Sequence, residues 1–410
     1  MTIIKAMLVP VMTIVTLGGC VTATVSEKSV TGLDVADGCA VVGAKLDMNF
    51  PSGNMASCKP SGDNQFTISL EPEDAPPINC SAWYAFRVTP SSAVTNSQKI
   101  MVRLSYETCG HRYWPKTSFD GISWNYLPER DVKITEVDGV RQADITLKLD
   151  GRPIFVAGQE IIVPATYRSW IEGVTASEQV ETFLLGKSAE GRDIPAVTIK
   201  APGTSPKRQV VLIGRQHPPE VTGALALLPF VETLLANTSL AQQYRAEFET
   251  IVVPMLNPDG VVRGHWRHNS GSTDLNRDWG PFKQPETQLM DGLLSQIEND
   301  PDRQLSFFVD FHSTQRDIFY TIPDEFPTKP ALAIKNWLGL LQERMPDYEV
   351  KRSSSSNLAQ ANSKNYVYKR YGVPTVTYEM GDETDRKLIS EIAEEAATAM
   401  METLLASPVE

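Results

Sequence analysis

The chain has 410 residues, 41% hydrophobic and 21% charged, with a formal net charge of −12. That length exceeds one ordinary core and that composition excludes disorder, so two folded domains are expected. The acidic balance, with no cluster of Lys and Arg, argues against nucleic acid as a partner and against direct adsorption to anionic lipid, since both are bound chiefly through cations.

Residues 1–20 have the layout of an export signal. Lys5 supplies the positive start, Ala6 to Thr16 form an apolar stretch too short to span a bilayer, and Leu17-Gly18-Gly19-Cys20 resembles a bacterial lipobox. Acylation of Cys20 would make a lipid anchor the chain's tie to a membrane. An ordinary cleaved signal is the alternative, and both readings export the protein. Val21 follows the cysteine where an inner-membrane retention signal carries Asp, so an outer-membrane lipoprotein facing the periplasm is expected. Residues 21–39, rich in Thr, Ser, Val and Gly, read as a tether. Cys39, Cys58, Cys80 and Cys109 lie in the N-terminal third without C-x-x-C spacing. An even number in an oxidising compartment fits two disulfides better than a metal site, and all three connectivities stay open.

Residues 40–165 carry short candidate strands, FTISL, AWYAFRV, KIMVRLSY, VKITEV, ADITLKL and EIIV, punctuated by Pro, Gly, Asp and Asn. This spacing predicts an antiparallel β-sandwich domain, with Trp83, Tyr84, Phe86, Tyr113, Trp114 and Trp124 filling its core or its seam to the next domain. From 166 to 410, strands QVVLIG, TIVVPML, LSFFVDF and PTVTYEM alternate with helical stretches such as TGALALLPFVETLLAN, ETQLMDGLLSQIE and ALAIKNWLGLLQERM. In the last stretch Leu388, Ile392, Ala396, Met400 and Leu404 recur at helical spacing. An α/β catalytic domain with a mixed, largely parallel sheet flanked by helices is expected.

Three chemically capable residues sit just past expected buried strands: His217 after VVLIGRQ, His312 after FFVDF and Glu379 after PTVTY. Open α/β sheets gather ligands outside the carboxyl ends of their strands, so these residues can converge. In His217-Pro-Pro-Glu220 a stiff chain lets an imidazole and a carboxylate face one cation. With His312 as third ligand, a tetrahedral zinc keeps its fourth position for water, which marks a catalytic metal. Asp274 can take the other ring proton of a ligand histidine.

The ordered set HPPE, NPDG (Asn257 to Gly260), GHWRHN, DLNRDW (Asp274 to Trp279), DFHS (Asp310 to Ser313) and TYEMGD resembles the zinc metallocarboxypeptidase family. AWYAFRV, RYWPKTSFDGISW and FVAGQEIIVP resemble the N-terminal domain of its cytosolic carboxypeptidase branch, whose members trim C-terminal glutamates in eukaryotes and have many bacterial relatives. The resemblance implies one zinc per chain held by His217, Glu220 and His312, with Asp274 orienting the first histidine. It implies that Asn276 and Arg277 grip the free C-terminal carboxylate of a peptide substrate. Arg267, a better match than Arg263, would steady the oxyanion, and Glu379 would move a proton from the attacking water to the leaving amine. The place of a mobile tyrosine over the substrate falls near Asn357, and Tyr366 or Tyr368 would serve only with that loop rearranged. Lys364 falls near the base of the side-chain pocket, where a cation favours C-terminal Glu or Asp; a solvated loop lysine is the alternative. The implied activity is hydrolysis of the C-terminal peptide bond. An amidase or deacylase acting on murein peptides or N-acyl amino acids would use the same metal site, whereas a dead binding module is disfavoured because no ligand or catalytic residue is missing.

Overall fold

A computed structural model describes residues 38–79, 82–91 and 98–408. The expected signal, Cys20 with its acylation, the tether up to residue 37 and Cys80 lie outside the described residues. Alternation of apolar and polar side chains builds two sheets between Ala40 and Ala157. One runs in the order β1 (Ala40–Val41), β2 (Ala44–Asp47), β5 (Ala85–Pro90), β11 (Ile154–Ala157), β7 (Lys116–Ser118) and β8 (Asn125–Tyr126). The other runs β3 (Ser57–Gly62), β4 (Gln65–Leu70), β6 (Gln98–Tyr106), β10 (Val140–Leu149) and β9 (Val132–Val137). In β6, Ile100, Val102, Leu104 and Tyr106 are buried and their neighbours are not; Ala143, Ile145, Leu147 and Leu149 repeat the pattern in β10. Both sheets share one core that takes in Trp83, Tyr84, Phe86 and Tyr113, with Trp124 packed against it.

Two expectations change here. The pairing is antiparallel except for β4 with β6, which is parallel: the chain leaves β4, crosses to β5 in the other sheet and returns in its original direction. EIIV is not a strand, because pairing of β11 with β5 ends at Ala157 and the following Gln159 and Glu160 turn away to bond Asp382 and Arg386. Cys39 and Cys58 form a disulfide, and Cys109 is also disulfide-bonded.

Helix α1 (Pro164–Val174) runs across the expected boundary at 165. The sheet that follows has the order β12 (Val180–Lys187), β13 (Asp193–Ile199), β15 (Phe248–Val253), β14 (Arg208–Gly214), β16 (Gln304–Thr314), β19 (Thr375–Gly381), β17 (Ile318–Thr321) and β18 (Arg352–Ser354). Its four central strands, β15, β14, β16 and β19, are parallel, and β13 and β17 flank them antiparallel. Val210 to Ile213 and Phe307 to Val309 are unbroken apolar runs because both faces of the sheet are covered. Helices α2 (Val221–Leu234), α3 (Ser239–Glu247), α6 (Ala333–Arg344) and α8 (Arg386–Ala406) bury one face. The other lies against α5 (Pro285–Asn299) and α7 (Ser363–Tyr371) through Trp279, Leu293, Phe308 and Val367. The short α4 (Pro258–Arg263) leads out from beyond β15.

His312 and Glu379 lie inside β16 and β19 rather than past them, because the two strands keep pairing to Thr314 and Gly381 and set these residues side by side. Only His217 follows its strand. Helix α2 approaches β16 closely enough that a Cβ on Gly223 would stand 2.5 Å from the carbonyl oxygen of His312, so glycine is required there.

Trp337 is fully buried against Phe307 and Phe319, and its indole donates to the carbonyl of Ala396 in α8 at 2.7 Å. Trp337→Ala should therefore cost about 3–5 kcal/mol, seen as a lower urea midpoint at unchanged slope. A loss below about 0.5 kcal/mol, ordinary for a surface change, would show that α6 is not part of the cooperative core.

Candidate active site

Beyond β14 the chain turns at Arg215, whose φ is 53° and whose guanidinium donates to the carbonyls of Pro218 (2.7 Å) and Ile162 (3.1 Å). The turn presents His217 inward and starts α2 with Glu220 at its N-cap position. His217 Nδ1 lies 2.7 Å from Glu220 Oε1, and His312 Nδ1 lies 2.6 Å from Oε2 of the same carboxylate. Both histidines are buried, with ring centroids 5.0 Å apart. Each far nitrogen meets another carboxylate: His217 Nε2 is 2.9 Å from Asp274 Oδ1, and His312 Nε2 is 2.8 Å from Asp310 Oδ2. Those contacts favour the tautomer whose lone pair faces the shared centre.

This donor set fits a divalent cation. One atom each from His217, Glu220 and His312 lies within 4.8 Å of the others, and two imidazoles with one carboxylate is a catalytic zinc set. Asp310 was not singled out from the sequence as a partner of His312. The signal was present in Asp310-Phe-His312, since residues two apart on a strand share a face. Asp310 is fully buried and also accepts from Gln216 Nε2 (2.6 Å) and Ser363 Oγ (2.5 Å).

Asp274 links the metal residues to the arginines. Its Oδ1 also accepts from the backbone of Asn276 at 2.9 Å, and its Oδ2 accepts from Arg267 Nε at 2.7 Å. Burial works to raise its pKa, but His217, Arg267 and Arg277 outweigh that and hold it far below the usual carboxylate range.

These groups open into a cavity of about 340 Å³ lined also by Arg267, Asn276, Arg277, Lys364, Glu379, Tyr320 and Arg112. Burial, then the charge of Glu220, pushes the Glu379 carboxyl up to about 7, and its Oε2 has no hydrogen-bond partner. Arg277 leaves the 3-10 turn Leu275–Arg277 and donates to its neighbour's carbonyl at 2.6 Å. Lys364 is not in a solvated loop: it is buried in the first turn of α7, bonded at 3.0 Å to Asn365 Oδ1, and burial pulls its pKa down to about 8.

Other candidates separate. Arg263 pairs with Glu190 outside the cavity. Asn357 reaches the cavity, but Tyr366 donates to Asp291 at 2.8 Å and Tyr368 stacks on Phe326, so neither phenol lines it. The phenol on the wall is Tyr320; two residues earlier on the same strand, Ile318 lies opposite Glu379. Arg112 comes from the N-terminal sheets and bonds Asp382 at 2.7 Å; a pair 270 positions apart leaves no local signal.

The zinc carboxypeptidase family profile matches residues 167–401. Over 136 residues the chain is 31% identical to cytosolic carboxypeptidase 6 of Mus musculus, covering 32% of this chain and 25% of that protein. Over 303 residues it is 32% identical to cytosolic carboxypeptidase 2 of Danio rerio, covering 66% and 41%. The chain thus spans less than half the length of these curated relatives. An uncharacterized protein of Zymomonas mobilis is 26% identical over 82% of this chain and 87% of its own. The fold is shared with a metallo-carboxypeptidase from Burkholderia cenocepacia, at TM-score 0.71 and 20% identity over 88% of this chain and 98% of that one. It is shared also with one from Pseudomonas aeruginosa in complex with (2-guanidinoethylmercapto)succinic acid, at TM-score 0.69 and 17% identity over 88% and 98%.

If Asp310 orients His312, Asp310→Asn should weaken zinc binding by about 10- to 100-fold in competition with a chelator. Unchanged affinity would remove Asp310 from the metal centre.

Proposed function

Because this chain belongs to the zinc carboxypeptidase family, we propose that it hydrolyses the last peptide bond of peptides, preferring an acidic terminal residue. One observation carries the preference. Among the described residues lining the cavity, Arg267 is matched by Asp274 and Arg112 by Asp382, while Arg277 and Lys364 have no ion-pair partner. A peptide ending in Glu or Asp brings both missing charges, one on its terminal carboxylate and one on its side chain.

Zinc, one per chain, would sit on His217, Glu220 and His312 and would polarise the scissile carbonyl and the attacking water as a Lewis acid. Arg277 and Asn276 hold the terminal carboxylate, for which a planar fork of N–H donors is better suited than an ammonium. That grip fixes which peptide bond reaches the centre and makes the enzyme an exopeptidase. Arg267 spends its Nε on Asp274 and keeps its terminal nitrogens for the oxyanion. Glu379 accepts a proton from water as the new C–O bond forms, then gives it to the amine nitrogen as the C–N bond breaks. A carboxyl that burial and the charge of Glu220 make easier to protonate serves in both directions. We further propose that the protein works in the periplasm as a lipoprotein acylated at Cys20; the lipobox and the Cys39–Cys58 disulfide support an oxidising compartment.

Glu379→Gln should keep zinc and peptide binding while turnover falls by about 10²- to 10⁴-fold. Near-normal turnover would remove Glu379 from the chemistry. The terminal-residue preference carries its own pH signature. Lys364 is charged below about 8 and neutral above it, so the ratio of kcat/KM for Glu-ending over Leu-ending peptides should be high at neutral pH and fall as pH rises through that value. A flat ratio, or preference for Lys-ending peptides, would defeat the assignment of Lys364.

A further inference from the structure

We infer that the N-terminal sheets set the oxyanion arginine in place, with Glu73 as a positioning residue that acts on Arg267 through its backbone. The inference rests on the role given to Arg267 above. Between α4 and the turn at Leu275, the segment bearing Arg267 has no helix or strand of its own to hold it. Three successive backbone donors of it instead go to one carboxylate from the segment that follows β4. Glu73 Oε2 accepts from Trp266 N at 2.7 Å, and Oε1 accepts from Arg267 N at 2.7 Å and also from His268 N. Three successive N–H groups around one anion form a nest, and each would be left without a partner if the carboxylate were removed.

Independent contacts fasten this segment, and the end of α4 before it, to the same part of the chain. Asp74 Oδ2 lies 2.6 Å from His268 Nδ1, and its Oδ1 accepts from Ser272 Oγ at 2.9 Å. Ser52 donates through its nitrogen to Val262 O at 3.0 Å and through its hydroxyl to Val261 O at 2.7 Å. Gly264, at φ 67°, packs where a Cβ would stand 2.5 Å from Gly53 O. The indole of Trp266 is buried in the N-terminal core. Glu73, Asp74 and His268 also lie close enough to suggest a second cation site, but both Glu73 oxygens are already taken by backbone donors that a metal would displace. The cluster is a clasp. Glu73 holds the backbone of Arg267 while Asp274 holds its guanidinium, so the side chain is fixed at both ends.

The test is a double-mutant cycle in the zinc-loaded full chain with Glu73→Ala, Arg267→Ala and both, following kcat, KM, zinc content and affinity for a phosphonate peptide that mimics the tetrahedral oxyanion. Glu73→Ala should lower kcat by about 10- to 100-fold with KM and zinc content little changed, and should weaken phosphonate binding in step. In the Arg267→Ala background the same change should cost less than about twofold on either readout. Equal losses in both backgrounds, or no loss in the first, would overturn the inference while leaving Arg267 in the mechanism. Full kcat in Arg267→Ala would instead overturn the role of Arg267 and this inference with it. Should Glu73→Ala fail to fold, Asp74→Asn enters the same cycle through His268 and Ser272, with the same expectation and the same overturning results.

Discussion

Two imidazoles arriving from different strands meet on the two oxygens of one carboxylate, Glu220, at 2.7 and 2.6 Å. Strands β14 and β16 are parallel neighbours with Gly214 opposite Phe311, so His312 comes one residue beyond that level within its strand and His217 three residues beyond on the turn. Helix α2 must then begin where Glu220 can reach both rings, which the two prolines and the pinned Arg215 arrange. In this buried setting the rings also need partners on their far sides, and Asp274 and Asp310 supply them. The result is a network in which removing one member leaves others uncompensated, the situation in which buried charge is most damaging.

The N-terminal sheets belong to this arrangement. They hold the segment after Glu379 as well as the one around Arg267. Arg112 meets Asp382 at 2.7 Å, Lys116 meets Glu383 at 3.2 Å, Gln159 donates to the carbonyl of Asp382 at 3.0 Å, and Glu160 accepts from Arg386 at 2.8 Å. Lys116 is almost wholly buried, and an ammonium is tolerated there because two carbonyls and a carboxylate surround it. The segment bearing Arg267 and the one that follows Glu379 are thus both bordered by residues contributed from the first 160 positions.

How much of this was legible depends on burial. The central strands and the long helices were readable because being covered on both faces, or on one stripe, writes an unmistakable apolar pattern. The edge strands β12 and β18 are half exposed or short, and β17 between β19 and β18 has only four residues, so they write none. Helix α7 is not among the helical stretches the sequence points to, because SKNYVYKRY is mostly polar; it is started by Asn362, whose side chain accepts from Asn365 N, and it is held by Val367 and the buried Ser363. Without that helix in view, the sequence leaves a solvated loop lysine open as the alternative for Lys364. The metal ligands were legible from residue type and strand position, whereas Glu73 and Arg112 were not, since each acts across at least 190 residues on a partner that sequence order does not reveal.

The charge pattern of the cavity has a direction. On the metal side every carboxylate but Glu379 is bonded to an imidazole or a guanidinium, and Glu379 is held closer to neutrality by its burial and by Glu220. Arg277 and Lys364 line the same cavity without an ion-pair partner, and Lys364 keeps its place although burial disfavours its charge. A fold stabilised for itself would have paired or replaced that ammonium. Leaving it without a counter-charge makes sense if that charge arrives with the proposed substrate: an anionic chain end would be drawn toward the two cations, while the carboxylates by the metal residues, already engaged, would repel it less strongly than free ones. Under the proposed function, these two cations would take the anionic end of a peptide and leave its last amide for Glu379 and the metal residues.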